Sequence, residues 1–137
     1  MTHYWILKSE PSAFSYQDLE RDGKTVWDGV RNYQARNNLK LMALNDAVLI
    51  YHSVTEKALV GIAKVSKTHY PDPTDNPKGG WVVVEIKPVR ALKRPVSLAE
   101  IKADPNLADL PLIRQSRLSV IPISKEHYDY LVTLGSN

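Results

Sequence analysis

The chain of 137 residues contains no cysteine. That absence excludes disulfide frameworks, thiolate nucleophiles and cysteine-based zinc sites together, and it fits a reducing compartment. No apolar run approaches the roughly 18 residues a membrane span requires. The opening MTHYWILKSEP lacks a basic region followed by an apolar stretch and a cleavage site, so it does not read as a signal peptide. A soluble, cytoplasmic protein with no membrane partner is the expectation. Enzyme signatures are missing too. There is no HExxH, no P-loop and no GxGxxG, and His3, His52, His69 and His127 have no mutual metal-ligand spacing. His52-Ser53 sets a base beside a hydroxyl, but neighbours on a strand point to opposite faces. No catalytic residue, metal or cofactor is expected. Internal repeats, low-complexity tails and long linkers are also absent, so residues 1–137 read as one domain. That length buries a sizeable core without disulfides or a structural metal.

Charged residues make up 24% and hydrophobic ones 43%, the balance of a soluble globular protein. Net charge is +3 and the isoelectric point about 9.1, which permits a polyanionic partner without demanding one.

Residues 3–8, HYWILK, read as a first strand. Ser15 caps a short helix with Asp18 at the capping-box position, and Asp22-Gly23 ends it. From Asn32 onward, Ala35, Leu39 and Met42 fall on one apolar helix face, and Asn45-Asp46 stops that helix. Residues 47–51 and 58–65 read as strands, residues 70–77 as a proline-rich loop, and residues 81–86 as the strongest strand. Pro88 implies that this strand ends there, bulges, or lies on an edge. Ser97 and Glu100 form a capping box for a short helix. Residues 111–114 suggest a single helical turn, residues 118–123 a last strand, and Ser124 opens a helix whose apolar face carries Tyr128, Leu131 and Val132. Five or six strands with short helices point to a small mixed barrel with helices packed around it.

Binding signals concentrate at the start of the second helix, WDGVRNYQARNN. Unpaired N–H groups at a helix N-terminus favour an anion, and Arg31 and Arg36 add full charges. Trp27 and Tyr33 offer flat faces for stacking. Asn32, Gln34, Asn37 and Asn38 can read a base edge. Gly29 allows a close backbone approach or a positive φ. Each residue also has a plain structural reading: Trp27 as core, Asn32 as N-cap, Arg36 as the partner of Asp28 or a neighbouring carboxylate. Taken as a cluster, structure and binding stand about level. Lys8-Ser9-Glu10-Pro11 ends a strand in a cation, a hydroxyl and a carboxylate. Residues 113–119 place Arg114, Ser116, Arg117 and Ser119 before a strand, as a solvated loop or a phosphate-contacting one. Tyr51, His52 and Ser53 close another strand.

The strings YWILKSEP, WDGVRNYQARNNL, IYHS, GIAKV, YPDPT and RQSRLSVIPIS occur in this order. With them, the chain from Tyr4 to about Leu131 resembles the EVE domain family, which belongs with YTH and ASCH domains to the PUA-like group of folds. The resemblance implies an α+β architecture, a PUA-like mixed β pseudo-barrel of about six strands with flanking short helices. It implies a non-catalytic nucleic-acid-binding module whose pocket takes a modified base, 5-methylcytosine or a relative flipped out of DNA, or a modified base in RNA. Reading a methyl group requires enclosing the base, and enclosure requires removing it from its stack. On this sequence Trp27 and Tyr33 would wall the base, and Lys8, Ser9 and Asn32 would meet its edge. Tyr51, His52 and Ser53 would form another wall, with Tyr70 and Pro71 as a lip. Arg31, Arg36, Arg114 and Arg117 would hold phosphates or brace the pocket, and Ser116 and Ser119 would add hydroxyls. A monomer is expected. Two alternatives stand beside this: a hydrolase of modified pyrimidine nucleosides, as among ASCH relatives, using Lys8, Ser9 and Glu10; and a small-ligand-binding module with no nucleic-acid role.

Overall fold

A computed structural model describes residues 2–75 and 79–136 of the chain. Its six strands are β1 (Tyr4–Ser9), β2 (Thr25–Trp27), β3 (Ala47–His52), β4 (Ala58–Pro71), β5 (Val82–Ser97) and β6 (Val120–Ile123). Its helices are α1 (Tyr16–Asp22), α2 (Tyr33–Leu41), α3 (Leu98–Ala103), α4 (Pro111–Arg114) and α5 (Lys125–Leu134). The strands form one sheet in the order β2-β5-β4-β3-β1-β6. Only β1 and β3 are parallel; the other pairs are antiparallel.

The edge strands β2 and β6 do not pair, so the barrel is not closed. Yet Thr25–Trp27 of β2 and Ser119, which leads into β6, line the same cleft. The sheet therefore rolls until its two edges face each other across a gap. Helix α2 packs against β6, β5 and β4, and so fills part of that gap. Its buried Ala35 and Leu39, with Met42 at the C-cap, are the residues the periodicity selects. Asn38 donates to the Val120 carbonyl at 2.8 Å, pinning the helix to the edge of β6.

The core is the fully buried sheet interior, including Ile6, Leu7, Leu49, Leu59, Ile86 and Ile121. Each such side chain contributes about 1.5–3 kcal/mol on leaving water. Tyr16 joins it from α1, and its hydroxyl donates to the Ile62 carbonyl at 2.6 Å. Burial, with Glu20 adding to it, pushes that phenol up to about 12. Its ring lies where a Cβ on Gly61 would fall, so β4 needs glycine there. Asp46 is buried and accepts from the His3 and Ala43 N–H groups and the Trp5 indole, tying the start of β1 to the turn before β3.

The capping box at Ser15 and Asp18 is present in both directions. At Ser97 only half of the expected box forms. The Ser97 hydroxyl accepts from the Glu100 N–H, but the Glu100 carboxylate takes a bidentate bond from Arg94 instead. Helix α2 ends at Leu41, short of the expected Asn45-Asp46, because Met42 already turns extended (ψ 136°). Strand β4 runs to Pro71, so Tyr70 and Pro71 belong to a strand rather than to the proline-rich loop; Asn76 and Pro77 of that loop lie outside the described residues. Strand β5 passes straight through Pro88. Pairing with β4 shifts register beside it, and β2 covers only residues 84–86, so no neighbour requires an N–H from Pro88 on that side. No described helix is long and apolar enough to cross a membrane.

Candidate nucleic-acid interface

The gap between the sheet edges is a cleft of about 570 Å³. Its walls come from the end of β1 (Lys8, Ser9, Glu10), the following turn (Ala13, Phe14), strand β2, and the segment Asp28–Arg31 that leads into α2, with Ser119 opposite. Aromatic surface is supplied by Trp27, whose ring meets Phe14 edge to face at 6.3 Å.

The polar groups are held in place. Lys8 donates through Nζ to the Ser116 carbonyl at 2.7 Å, and burial lowers its pKa. Ser9 donates through Oγ to the Phe14 carbonyl. Arg31 is fixed by three acceptors: Asp72 Oδ2 at 3.0 Å, its neighbour Val30 O at 3.0 Å, and Thr74 Oγ1 at 3.2 Å. Asp72 also accepts from the Gly29 N–H at 3.1 Å, where φ is +75°, a backbone state that glycine adopts freely. Burial works to raise the Asp72 carboxyl. Hydrogen bonds from the Thr74 hydroxyl and N–H, the Arg31 guanidinium and the Gly29 N–H outweigh burial and hold it at about 2. Lys8 and Arg31 line the cleft together with Glu10 and Asp28. The lining is thus charge-balanced, which suits an uncharged ring with polar edges better than a phosphate.

Two further cavities adjoin it. One of about 320 Å³ is lined by Asn32, Gln34, Gln115, Ser116, Arg117 and Leu118, with Gln34 donating to Gln115 at 2.8 Å. The other, also about 320 Å³, shares Lys8 and Ser116 with its neighbours and holds Tyr51, Ser53, Lys57 and Lys102; no carboxylate lines it. Lys8 lines both this basic cavity and the main cleft, and its bond to the Ser116 carbonyl ties it to the wall that the basic cavity shares with the second one.

The residues singled out in the sequence therefore divide. Lys8, Ser9, Trp27, Arg31 and Ser119 line the main cleft. Asn32, Ser116 and Arg117 line the second cavity, Asn32 also capping α2 by accepting from the Ala35 N–H. Tyr51 and Ser53 line the basic cavity. Tyr33 and Arg36 lie outside all three, on the exposed surface beside Trp81. Arg114 is exposed on α4. His52 is not a cavity wall: it is buried, its Nε2 accepts from the Tyr16 N–H at 3.0 Å, and Nδ1 meets Glu56 at 2.6 Å. Tyr70 and Pro71 are not a lip either. Strand pairing with β5 directs Tyr70 to Glu85, to which its hydroxyl donates at 3.0 Å, with Lys67 over its ring. Phe14, Asp72 and Gln115 were not singled out by sequence reasoning. Asp72 is remote in sequence from Gly29 and Arg31, which it holds, and Phe14 meets Trp27 only through the fold. Among the described residues, no group of three His, Asp or Glu could hold a metal ion.

Residues 3–134 match the protein-family model described as the EVE domain. Thymocyte nuclear protein 1 of Rattus norvegicus is 36% identical, over 98% of this chain and 74% of the relative. A crystal structure of a protein from Agrobacterium tumefaciens superposes with a TM-score of 0.95 at 38% identity, covering 99% of this chain and 96% of that one. Human THYN1 protein, solved in complex with 5-methylcytosine containing DNA, superposes with a TM-score of 0.91 at 32% identity, covering 99% of each chain.

Proposed function

The chain belongs to the EVE domain family, and on that premise we propose that it is a non-catalytic module that binds nucleic acid by enclosing one modified base, of the 5-methylcytosine type, in the cleft between β1 and β2. The observation that carries this reading is the cleft's make-up: about 570 Å³, aromatic at Trp27 and Phe14, polar at Lys8, Ser9 and Ser119, and balanced in charge. Such a lining holds a flat heteroaromatic ring by stacking and reads its edge by hydrogen bonds. The related human protein's complex with 5-methylcytosine containing DNA supports the same ligand class. Phosphates on either side of the base would meet the cations outside the cleft, among them Arg117, Lys57 and Lys102.

The nucleoside-hydrolase alternative has one point in its favour: Lys8, Ser9 and Glu10 do line a single cleft. Against it, the Lys8 amine and the Ser9 hydroxyl already donate to main-chain carbonyls, and among the described residues no base hydrogen-bonds Ser9 Oγ.

The test is a tryptophan-fluorescence titration with matched oligonucleotides carrying cytosine or 5-methylcytosine at one position, at two salt concentrations. Tighter binding of the methylated strand, weakening as salt rises and lost in Trp27→Ala, is the expected result. Equal binding of the two strands would sink the reading. A new product on incubation with 5-methyl-2′-deoxycytidine, lost in Lys8→Ala, would replace it with the hydrolase.

A further inference from the structure

Outside the cleft, four side chains form a compact aromatic and cationic cluster. Tyr33, the first residue of α2, stacks on Trp81 with ring centroids 5.0 Å apart and planes inclined by 28°. The Arg36 guanidinium, one helical turn on, lies 5.0 Å from the Tyr33 ring and 5.6 Å from the Trp81 ring. Arg31 lies 5.6 Å from the Trp81 ring as well, and Arg31 also lines the cleft. The cluster and the cleft thus have a wall in common.

These distances fix which surfaces are free. If Arg36 and Trp81 covered opposite faces of Tyr33, their separation would approach the sum of the two 5.0 Å spacings. It is 5.6 Å. Arg36 and Trp81 therefore do not sandwich the Tyr33 ring, and among the described residues no other aromatic ring or cation is stacked on it. The residue is 66% exposed, the value it shares with Leu41 as the highest among the large exposed hydrophobic side chains. The ring is nonetheless not a loose side chain. Trp81 backs it, and the Trp81 main chain is tied to Asp72, whose N–H donates to the Trp81 carbonyl at 2.9 Å, and to Asp75, which accepts from the Trp81 N–H at 3.3 Å. Among the described residues Arg36 makes no salt bridge; its only hydrogen bonds go to the neighbouring Asn37 amide oxygen. A rigid aromatic face with an un-neutralised guanidinium at its rim is the pairing that single-stranded nucleic acid uses: a base stacks, and the adjoining phosphate meets the cation.

We infer that the open face of Tyr33, backed by Trp81 and flanked by Arg36, is a second subsite that stacks the base of the nucleotide adjacent to the one in the cleft. This rests on the proposed reading of the cleft and adds to it that the ligand is a strand, unstacked on one side of the enclosed base, rather than a free base or nucleoside. Trp81 and the Asp72–Arg31 contact keep the two subsites in fixed relation, so the enclosed base and its neighbour are held apart at a set spacing.

Removing the neighbouring base while keeping its phosphate isolates this contact. Single-stranded oligonucleotides with one 5-methylcytosine are compared by anisotropy when the residue on the 5′ side, the 3′ side or neither is abasic. For the unaltered protein, one of the two abasic strands binds roughly tenfold or more weakly, the value of one stacked base. Tyr33→Ala binds the intact strand as weakly and no longer responds to the abasic substitution, whereas Tyr33→Phe responds as the parent does. An unaltered protein indifferent to both abasic strands overturns the platform, as does a Tyr33→Ala variant that still responds. Preference for 5-methylcytosine over cytosine, lost in Trp27→Ala, is scored in the same strands. If that preference persists while the abasic response is absent, the platform alone fails. If the preference is absent, the cleft reading fails and the platform falls with it.

Discussion

Asp72 and Arg31 meet at 3.0 Å with the carboxylate side chain wholly buried and the guanidinium 39% exposed. The pair joins the loop after β4 to the segment before α2, and through Arg31 it shapes one wall of the cleft. Asp72→Asn should keep the size of the side chain and lose the charge that three N–H groups and a hydroxyl address. Leaving those donors poorly matched is expected to cost about 2 kcal/mol. The carboxyl sits at about 2 in the folded protein against an ordinary 3.8, so its contribution to stability is complete above the ordinary value. That contribution is lost as pH falls from about 4 toward 2. Thermal melts across this range should show a steep acid limb in the parent and a shallower one in Asp72→Asn. Identical limbs would refute the assignment.

Lys8 behaves in the opposite sense. Burial lowers its pKa from 10.5, so the folded state disfavours the charged amine. The unfolded chain then binds the proton more tightly, and stability rises with pH through the interval below 10.5. Lys8→Met should abolish this alkaline gain while leaving neutral-pH stability equal or slightly higher. It should also free the Ser116 carbonyl and weaken binding of the methylated strand roughly tenfold, the loss of one charge-assisted hydrogen bond. A variant that melts early and binds normally would show Lys8 to be structural only.

His52 separates fold from site. Its Nε2 accepts from the Tyr16 N–H, which places the ring proton on Nδ1, directed at Glu56. His52→Ala should strand the buried Tyr16 N–H and cost about 1–3 kcal/mol in denaturant melts. The folded fraction should bind the methylated strand as tightly as the parent. A specific loss of binding without loss of stability would return His52 to the ligand.

The helices were legible where a side chain makes a bond to its own neighbourhood. Ser15, Asn32, Ser97 and Ser124 all accept the N–H three residues on, as their sequence context indicates. Long strands were less legible. The end of β4 carries lysine, threonine and histidine because its flank is exposed, so no apolar alternation announces it. Strand β2 has three residues, too few for any period to register, although it forms a wall of the cleft. The crowding at residues 27–38 carries no sign of how those side chains divide in space. Trp27 turns inward with β2, whereas Tyr33 starts a helix and points out, and only tertiary structure supplies the rotation between them.

Strand β1 lies between β3 and β6, and its partner β6 begins at Val120, with Ser119 opposite Lys8 on the way in. The cleft's first wall is thus made within the first ten residues, yet it has no second side until more than a hundred others have been added. On the ribosome, Lys8 and Ser9 wait through the synthesis of everything between β1 and β6 for the strand that fixes them. A truncated product ending before Ser119 would carry the aromatic residues of the cleft but lack its opposite wall. The cleft is complete only when β6 has paired with β1.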